Sequence, residues 1–434
     1  MPFFSPPSPP FFVKKSYVNN MTAEVIIMNK RGVAIAADSA TTWKNDSETS
    51  KVVTSTNKIK VISENPPIAM VHNNHGTFCN LAWSIVVQSF RDSHPEPWKS
   101  LDRCAKDFLK HLSRLPIEQE SVRKDFIHSC STRILKDIKS VDQDYIKCFL
   151  EETTANIIHS PFFQGMGGEK PAFDKKTLAL IDKVFHDAYI AIFQDSKKPE
   201  WFDLAKNTLL HALQHPCDIN KRNFTGIAFV GFGTDDFYPV ERDFFVYGNI
   251  GNRLAYTVSG SNQVSAKQRF CIIPMAQRSE IDTFFFGAQP EISSFIQNDI
   301  SRNIREAERN IHNFISANSE KLSSFESDLH EVIQQRMNAL ENRISSRYHR
   351  IINQMTRDTS STVNFMTLPD LAKFAQGLID STSFKRSLQQ KDPGTVGGET
   401  EVAVLARTDG FVWVRHKKFI DQEINQNFFS KVDQ

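Results

Sequence analysis

The sequence has no long hydrophobic run and no excess of charge of either sign. No stretch approaches the roughly 18 consecutive apolar residues that a membrane span needs, which excludes a membrane-embedded chain. Lysine and arginine number 52 against 50 aspartates and glutamates, for a formal net charge of +2. Proteins that bind nucleic acid through charge carry a basic excess. We therefore expect neither a membrane nor a nucleic-acid partner.

Cysteine is scarce as well, and its six positions are scattered without a CxxC pair. This spacing excludes a disulfide scaffold and a zinc ribbon, and it favours a reducing cytoplasm. We expect no metal and no cofactor. Residues 1–21 are rich in proline and lack the basic-then-apolar order of a signal peptide. We interpret them as a leader that is disordered or absent from the mature chain.

The 434 residues are enough for two or three domains of about 150 residues each. Strand-like segments alternate with helical ones along the chain. Residues 291–368 contain neither glycine nor proline and carry apolar residues at three-to-four spacing, which predicts a long helix or a helical hairpin. The pattern predicts an α+β protein with a core in three parts (22–92, 223–298 and 366–434) and two helical insertions (93–222 and the arm 299–365).

Local patterns predict individual elements of this core. Apolar runs bounded by turn residues predict strands, and a 3.6-residue period predicts a helix after them. The strands are expected at Thr22–Met28, Val33–Ala37, Lys58–Ile62 and Ile68–Val71, the helix at Phe78–Arg91, and a closing hairpin at Val402–Ala406 and Phe411–Val414.

The first predicted hairpin brings a hydroxyl and a carboxylate to one edge of its sheet. A turn centred on Lys30-Arg31 pairs Met28 with Val33, and counting outward places Thr22 near Asp38 or Ser39. Lys58 opens the next strand and is expected at the same edge, although Lys60 is a competing choice. The three residues form a candidate catalytic group.

Thr22 follows Met21 directly. If translation starts at Met21, removal of the methionine leaves Thr22 with a free α-amine, which can serve as general base for its own hydroxyl. A lysine cation beside this amine lowers the proton affinities around it, and Asp38 would hold that lysine in place.

The run from Thr22 to Thr41 resembles the start of proteasome β subunits and of the bacterial peptidase HslV, which are N-terminal-nucleophile (Ntn) hydrolases. In that family a mature N-terminal threonine, a Gly-Val-x-x-Ala-Ala-Asp strand and a Lys-Ile strand follow in this order. The interval from Thr22 to Asp38 matches without a gap, and Lys58-Ile59 matches after about four extra residues. The resemblance covers about half of the chain.

This resemblance implies a four-layer αββα sandwich and threonine-type hydrolysis of peptide or other amide bonds. It assigns Thr22 as nucleophile and base, Asp38 as orienting group and Lys58 as the group that tunes the pKa. Asn74 stands where the family has a glycine whose N–H forms the oxyanion hole. Asn tolerates unusual backbone angles. The relatives stack into rings, so a homo-oligomer is expected.

Two segments depart from the family pattern. Gly287-Ala288-Gln289 replaces a Gly-Ser-Gly turn and lacks its hydroxyl. The family's Asp-x-x-Ser-Gly-Gly becomes a segment in which Asp392 is one place off and valine replaces the serine, so that Thr395 would have to supply the hydroxyl.

The alternatives stay open at this point. Thr22 can be an ordinary strand-starting threonine, Asp38 a turn carboxylate and Lys58 a solvated lysine. The chain would then be a catalytically inactive Ntn-fold scaffold or assembly subunit, which the lost serine and the long helical arm also favour. His72 and His75 do not form the helical HExxH arrangement of a zinc peptidase.

Overall fold

The computed structural model describes most of the chain. The described residues are 22–44, 50–53, 56–94, 97–115, 120–166, 173–221, 223–250, 253–276, 279–287, 290–317, 326–388 and 398–416. They form a mixed α/β protein with antiparallel sheets, in agreement with the predicted α+β class. The chain divides into two compact units, and each is described by itself: one contains Arg278–Met366, the other Lys15–Gln277 and Thr367–Gln434.

Strands occur throughout the second unit. In chain order they are β1 (Ala23–Asn29), β2 (Gly32–Ala37), β3 (Thr41–Lys44), β4 (Ser50–Val53), β5 (Ile59–Ser63), β6 (Ile68–Asn73), β7 (Thr77–Phe78), β8 (Leu81–Ala82), β9 (Thr225–Gly231), β10 (Val240–Ile250), β11 (Arg253–Gln263), β12 (Phe270–Ala276), β13 (Glu401–Ala406) and β14 (Gly410–Arg415).

Helices occur in both units. They are α1 (Trp83–Ser93), α2 (Leu101–Arg114), α3 (Glu120–Lys139), α4 (Ile146–Ile158), α5 (Lys175–Phe193), α6 (Phe202–Ala212), α7 (Ser279–Phe286), α8 (Pro290–Ala317), α9 (Glu326–Val363) and α10 (Leu368–Ser387). Two single 3-10 turns lie at Gln143–Tyr145 and Gln164–Met166.

Two five-stranded antiparallel sheets form the centre of the second unit. The first has the order β12-β1-β2-β13-β14 and the second the order β11-β10-β9-β6-β5. β1 and β2 are buried along their whole length, as their almost continuous apolar sequence predicts. Helix α10 packs on β1, β2 and β13, while α1 and α2 pack on β5, β9 and β10. β2 also approaches β9 of the second sheet.

Helices α3 to α6 build a second hydrophobic core of their own, which includes Phe163, Phe185 and Leu209. The β10–β11 hairpin joins this core to the sheet core: Phe244 packs with the sheet helices, whereas Ile250 packs with α3 to α6. The predicted insertion 93–222 is therefore not uniform, because α2 at its start belongs with the sheet core.

The other unit consists of α7, α8 and α9. The two long helices pack against each other, with Ser301 Oγ donating to Glu341 Oε1 at 2.5 Å and the rings of His312 and His330 stacked 4.2 Å apart. Within the described residues of this stretch, 290–317 and 326–363, the packing agrees with the helical-hairpin alternative. The unit also takes in α7, so it starts at Arg278, ahead of the predicted arm boundary at 299.

One helix prediction was wrong at its start. Helix α1 begins at Trp83, not at Phe78. Cys79 and Asn80 both have positive φ, 53° and 61°, which a right-handed helix does not accommodate. The segment before Trp83 instead forms the short β7–β8 pair.

Candidate functional site

The β1–β2 hairpin has the predicted register. Met28 pairs with Val33 and Glu24 with Ala37, which brings the end of β2 beside the start of β1. Two hydrogen bonds fasten this edge: the Asp38 N–H donates to the Ala23 carbonyl, and the Ala23 N–H donates to Asp38 Oδ1, both at 3.0 Å. Thr22 precedes Ala23, so this register places Thr22 at the edge where Asp38 and Ser39 follow β2, as predicted.

Lys58 reaches the same edge from the second sheet. It is 2% exposed, its ammonium contacts Asp38 Oδ1, and Nζ lies 3.2 Å from Glu24 Oε1. Burial alone would lower the pKa of Lys58, but attraction to Asp38 and Glu24 outweighs it and raises the pKa. The lysine therefore stays charged inside the protein. The structure favours Lys58 over the competing Lys60 for this position.

Glu24 was not predicted as a site residue. It is fully buried, and it lies two residues after Thr22, so the two side chains share a face of the extended chain. Burial raises the pKa of Glu24, Lys58 lowers it and the negative charge of Asp38 raises it. The net result is a pKa of about 7. The signal in the sequence was a glutamate inside an apolar strand, where a charge needs a reason.

A third carboxyl lies on the same sheet face. Glu401 of β13 and Glu24 of β1 both pair with Ala37, and residues directly opposite on neighbouring strands share a face. Glu401 Oε2 accepts the Lys58 backbone N–H at 3.3 Å, and His416 Nδ1 lies 3.0 Å from Glu401 Oε1. Glu401 thus ties the end of the first sheet to the start of β5.

The Thr22 hydroxyl is poorly satisfied. Thr22 is 6% exposed, and Oγ1 makes no hydrogen bond of good geometry to another described residue. It nevertheless lies close enough to Glu24 to lower the pKa of that carboxyl slightly. An unsatisfied buried hydroxyl costs about 1–3 kcal/mol of stability, so its presence beside a carboxyl and a lysine favours a chemical role.

Asn74 has the backbone that the oxyanion-hole prediction needs. Its φ is 73°, in the left-handed region, and its Nδ2 donates to the Phe224 carbonyl at 2.5 Å. It follows two residues after His72, whose N–H donates to the Lys58 carbonyl at 3.2 Å. Burial and the nearby Lys60 and Lys58 lower the pKa of His72 to about 3, so its ring is neutral. The oxyanion role of Asn74 stays a prediction.

The remaining candidates cannot be placed. Asp392 and Thr395 lie outside the described residues, as does most of the Gly287-Ala288-Gln289 turn. Among the residues that the structure does describe, no group of three or more histidine, cysteine, aspartate or glutamate side chains could hold a metal ion.

A cavity of about 830 Å³ opens near Asn74, between α3, α4 and the sheet. Aromatic side chains form its floor, including Phe224, Phe245 and Tyr247, and the ring centroids of the first two are 4.3 Å apart. Two ion pairs lie on its wall, Arg133 with Asp137 and Lys221 with Asp218. Because the Phe224 carbonyl accepts from Asn74, the cavity floor and the Asn74 turn are joined directly.

Comparisons with protein-family models, with curated proteins and with solved structures found no match to this chain. Within the described ranges, no helix is both long enough and apolar enough to cross a bilayer. What the site does must therefore be argued from its own geometry and from the resemblance carried by Thr22, Asp38 and Lys58.

Proposed function

We propose that this chain is a threonine-type hydrolase of peptide or other amide bonds, with Thr22 as its nucleophile. The observation that carries the proposal is the buried group formed by Thr22, Asp38 and Lys58, in which one ammonium is held at the edge where the β1–β2 hairpin ends. Buried polar groups are nearly always hydrogen-bonded, so the poorly satisfied Thr22 hydroxyl needs an explanation, which a role as nucleophile would supply.

The proposed reaction has two halves. Thr22 Oγ1 attacks the carbonyl carbon of the amide, its proton passes to a base, and the amine leaves with a proton as an ester forms on Thr22. Water then attacks the ester and regenerates the hydroxyl. Lys58 stabilises the negative charge that develops around Oγ1, and Asp38 keeps the ammonium in place. The N–H of Asn74 is the proposed oxyanion donor.

The layering of the second unit supports the same proposal. Two five-stranded antiparallel sheets between helices are the arrangement expected of an Ntn-hydrolase sandwich, which we propose as the fold family. A homo-oligomer in a reducing cytoplasm is part of the proposal too. None of the six cysteines, which all lie in the described part of the chain, forms a disulfide, which suits that compartment.

Covalent labelling tests the nucleophile. A β-lactone acylates an activated hydroxyl, so the protein treated with it should carry one adduct, located at Thr22 by peptide mass spectrometry. Thr22→Ala should lose the adduct and Thr22→Ser should keep it. Thr382→Ala is the matched control, because Thr382 is also a buried threonine but lies in α10, where its hydroxyl donates to Leu378.

An adduct that persists on Thr22→Ala, or no adduct on a folded wild-type protein, would contradict the proposal. The second result would favour the catalytically inactive scaffold, whose fold would be the same.

A further inference from the structure

A threonine hydroxyl needs a base, and three buried carboxyls lie near the edge that holds Thr22: Asp38, Glu401 and Glu24. Asp38 Oδ1 already accepts from both Lys58 and the Ala23 N–H. Glu401 bonds the Lys58 backbone and faces His416. Glu24 pairs with Lys58, yet neither of its oxygens makes a hydrogen bond of good geometry to a described residue.

Position also favours Glu24. It lies on the same face of the strand as Thr22, two residues along, and it is fully buried beside the unsatisfied Thr22 hydroxyl. A base must come within about 2.6–3.2 Å of the hydroxyl oxygen, and such contacts tighten when substrate binds. The Thr22 hydroxyl already lies close enough to the Glu24 carboxyl to lower its pKa.

We propose that the Glu24 carboxylate is the general base that takes the proton of the Thr22 hydroxyl. This inference rests on the proposed function, since it takes Thr22 as the nucleophile. It adds that hydrolysis proceeds while the Met21–Thr22 peptide bond is intact, because no α-amine is required.

The proton balance is complete with these two residues. As Oγ1 bonds to the carbonyl carbon, its proton moves to Glu24 and the carbonyl electrons move to oxygen. Collapse of this intermediate breaks the C–N bond, and the leaving amine takes the proton from Glu24. In the second half Glu24 takes a proton from the attacking water and returns it to Oγ1 as the ester bond breaks.

The charged groups around Glu24 suit a base that works near neutral pH. Lys58 faces it from the second sheet, Asp38 from the end of β2 and Glu401 from β13. Burial raises the pKa of Glu24, Lys58 lowers it and Asp38 raises it, and the result is about 7. A base is most effective when its pKa lies near the operating pH.

The test is the rate of β-lactone acylation in full-length chains whose intact mass shows residues 1–21 still attached. In the wild-type protein the β-lactone should acylate Thr22, and the acylation rate should rise with pH through a midpoint near pH 7. Glu24→Gln should slow acylation by about 10²–10⁴-fold and abolish that midpoint. Glu24→Asp should recover part of the rate. Glu241→Gln, a buried glutamate of β10 bonded to Asn262, is the control and should keep the rate.

The outcomes separate the two proposals. If Glu24→Gln is acylated at the wild-type rate, Glu24 is not the base, and Thr22 remains the nucleophile. Acylation only in a chain that begins at Thr22 would assign the base to the α-amine and would equally overturn Glu24. Acylation of neither chain would remove the nucleophile and this inference together. If Glu24→Gln does not fold, a wild-type rate that is flat across pH 5–9 overturns the inference by itself.

Discussion

At the scale of single residues, the site is a problem in burying charge. The Lys58 ammonium contacts the carboxyls of both Asp38 and Glu24, and all three residues are at most 2% exposed. One ammonium cannot fully compensate two carboxylates in a low-dielectric interior, so the cost falls on the carboxyl with fewer hydrogen-bond donors. That carboxyl is Glu24, and its raised pKa expresses this cost.

Glu24 should therefore make stability depend on pH. Its pKa is about 7 in the folded protein against 4.5 ordinarily, so between these pH values the unfolded chain releases a proton that the folded protein keeps. Wild-type stability should fall relative to Glu24→Gln as pH rises from 4.5 to 7, by the order of 2–3 kcal/mol, and the difference should level off above pH 7. Urea unfolding of both proteins at pH 4.5, 6 and 8 measures it, and a difference independent of pH would contradict it.

The residue-scale prediction from sequence was correct where strand geometry governed it. The register of a hairpin fixes which residues meet at its open end, so Thr22 could be placed near Asp38 or Ser39 from the turn alone. Glu24 was not predicted, because it is not one of the residues of the family motif. Which sheet edge Lys58 reaches depends on the stacking of two sheets, and no local pattern contains that.

At the scale of elements, the Gln164–Met166 turn lies very close to β11. A Cβ placed on Gly165 would lie 1.6 Å from the Leu254 carbonyl oxygen, a backbone atom that cannot rotate away. Only glycine permits this approach. The contact holds the loop after α4 against the sheet.

Gly165→Ala should push the turn off β11 and destabilise the protein by about 1–3 kcal/mol, the usual cost of overpacking. Gly377→Ala is the matched control: it lies in α10, where a Cβ meets nothing within 4 Å, and replacing a helical glycine should stabilise by about 0.5–1 kcal/mol. Denaturant midpoints of the two variants report both effects. Equal midpoints would show that the turn does not bear on β11 as described.

Elements were predicted best where periodicity was long and uninterrupted. The absence of glycine and proline from residues 291–368 predicted a long helix or a helical hairpin there. Helix α10 begins with a capping box between Thr367 and Asp370, and Pro369 lies in its first turn. The predicted start of α1 was wrong, because a hydrophobic pattern does not indicate the left-handed backbone angles of Cys79 and Asn80.

At the scale of the whole molecule, the sheets join distant parts of the chain. β1 pairs with β12 and β2 with β13, so the first hairpin is completed by segments more than 200 residues later. No local signal encodes such pairings, and they were not predicted from the sequence. The association of α2 with the sheet core was missed for the same reason: its apolar face is clear in the sequence, but the surface that covers it is not.

The β10–β11 hairpin should make the two cores of the second unit unfold together. Leu209→Ala in the helical core should cost about 2–5 kcal/mol. Because β10 contributes to both cores, amides of β9 should lose hydrogen-exchange protection at the same denaturant concentration as amides of α5. Native-state exchange followed by mass spectrometry measures this. Loss of protection confined to α3–α6 would mean that the cores are independent.

The paired hydrogen bonds between Ala23 and Asp38 bear on how such a protein could be activated. Both donors and both acceptors lie after Thr22 in the chain, so these two hydrogen bonds at the start of β1 involve no residue before Thr22. Cleavage at the Met21–Thr22 bond would leave this anchor in place. The step would then differ from zymogen activation, in which a freed terminus remodels a disordered site: it would add one basic amine to an edge that is already built.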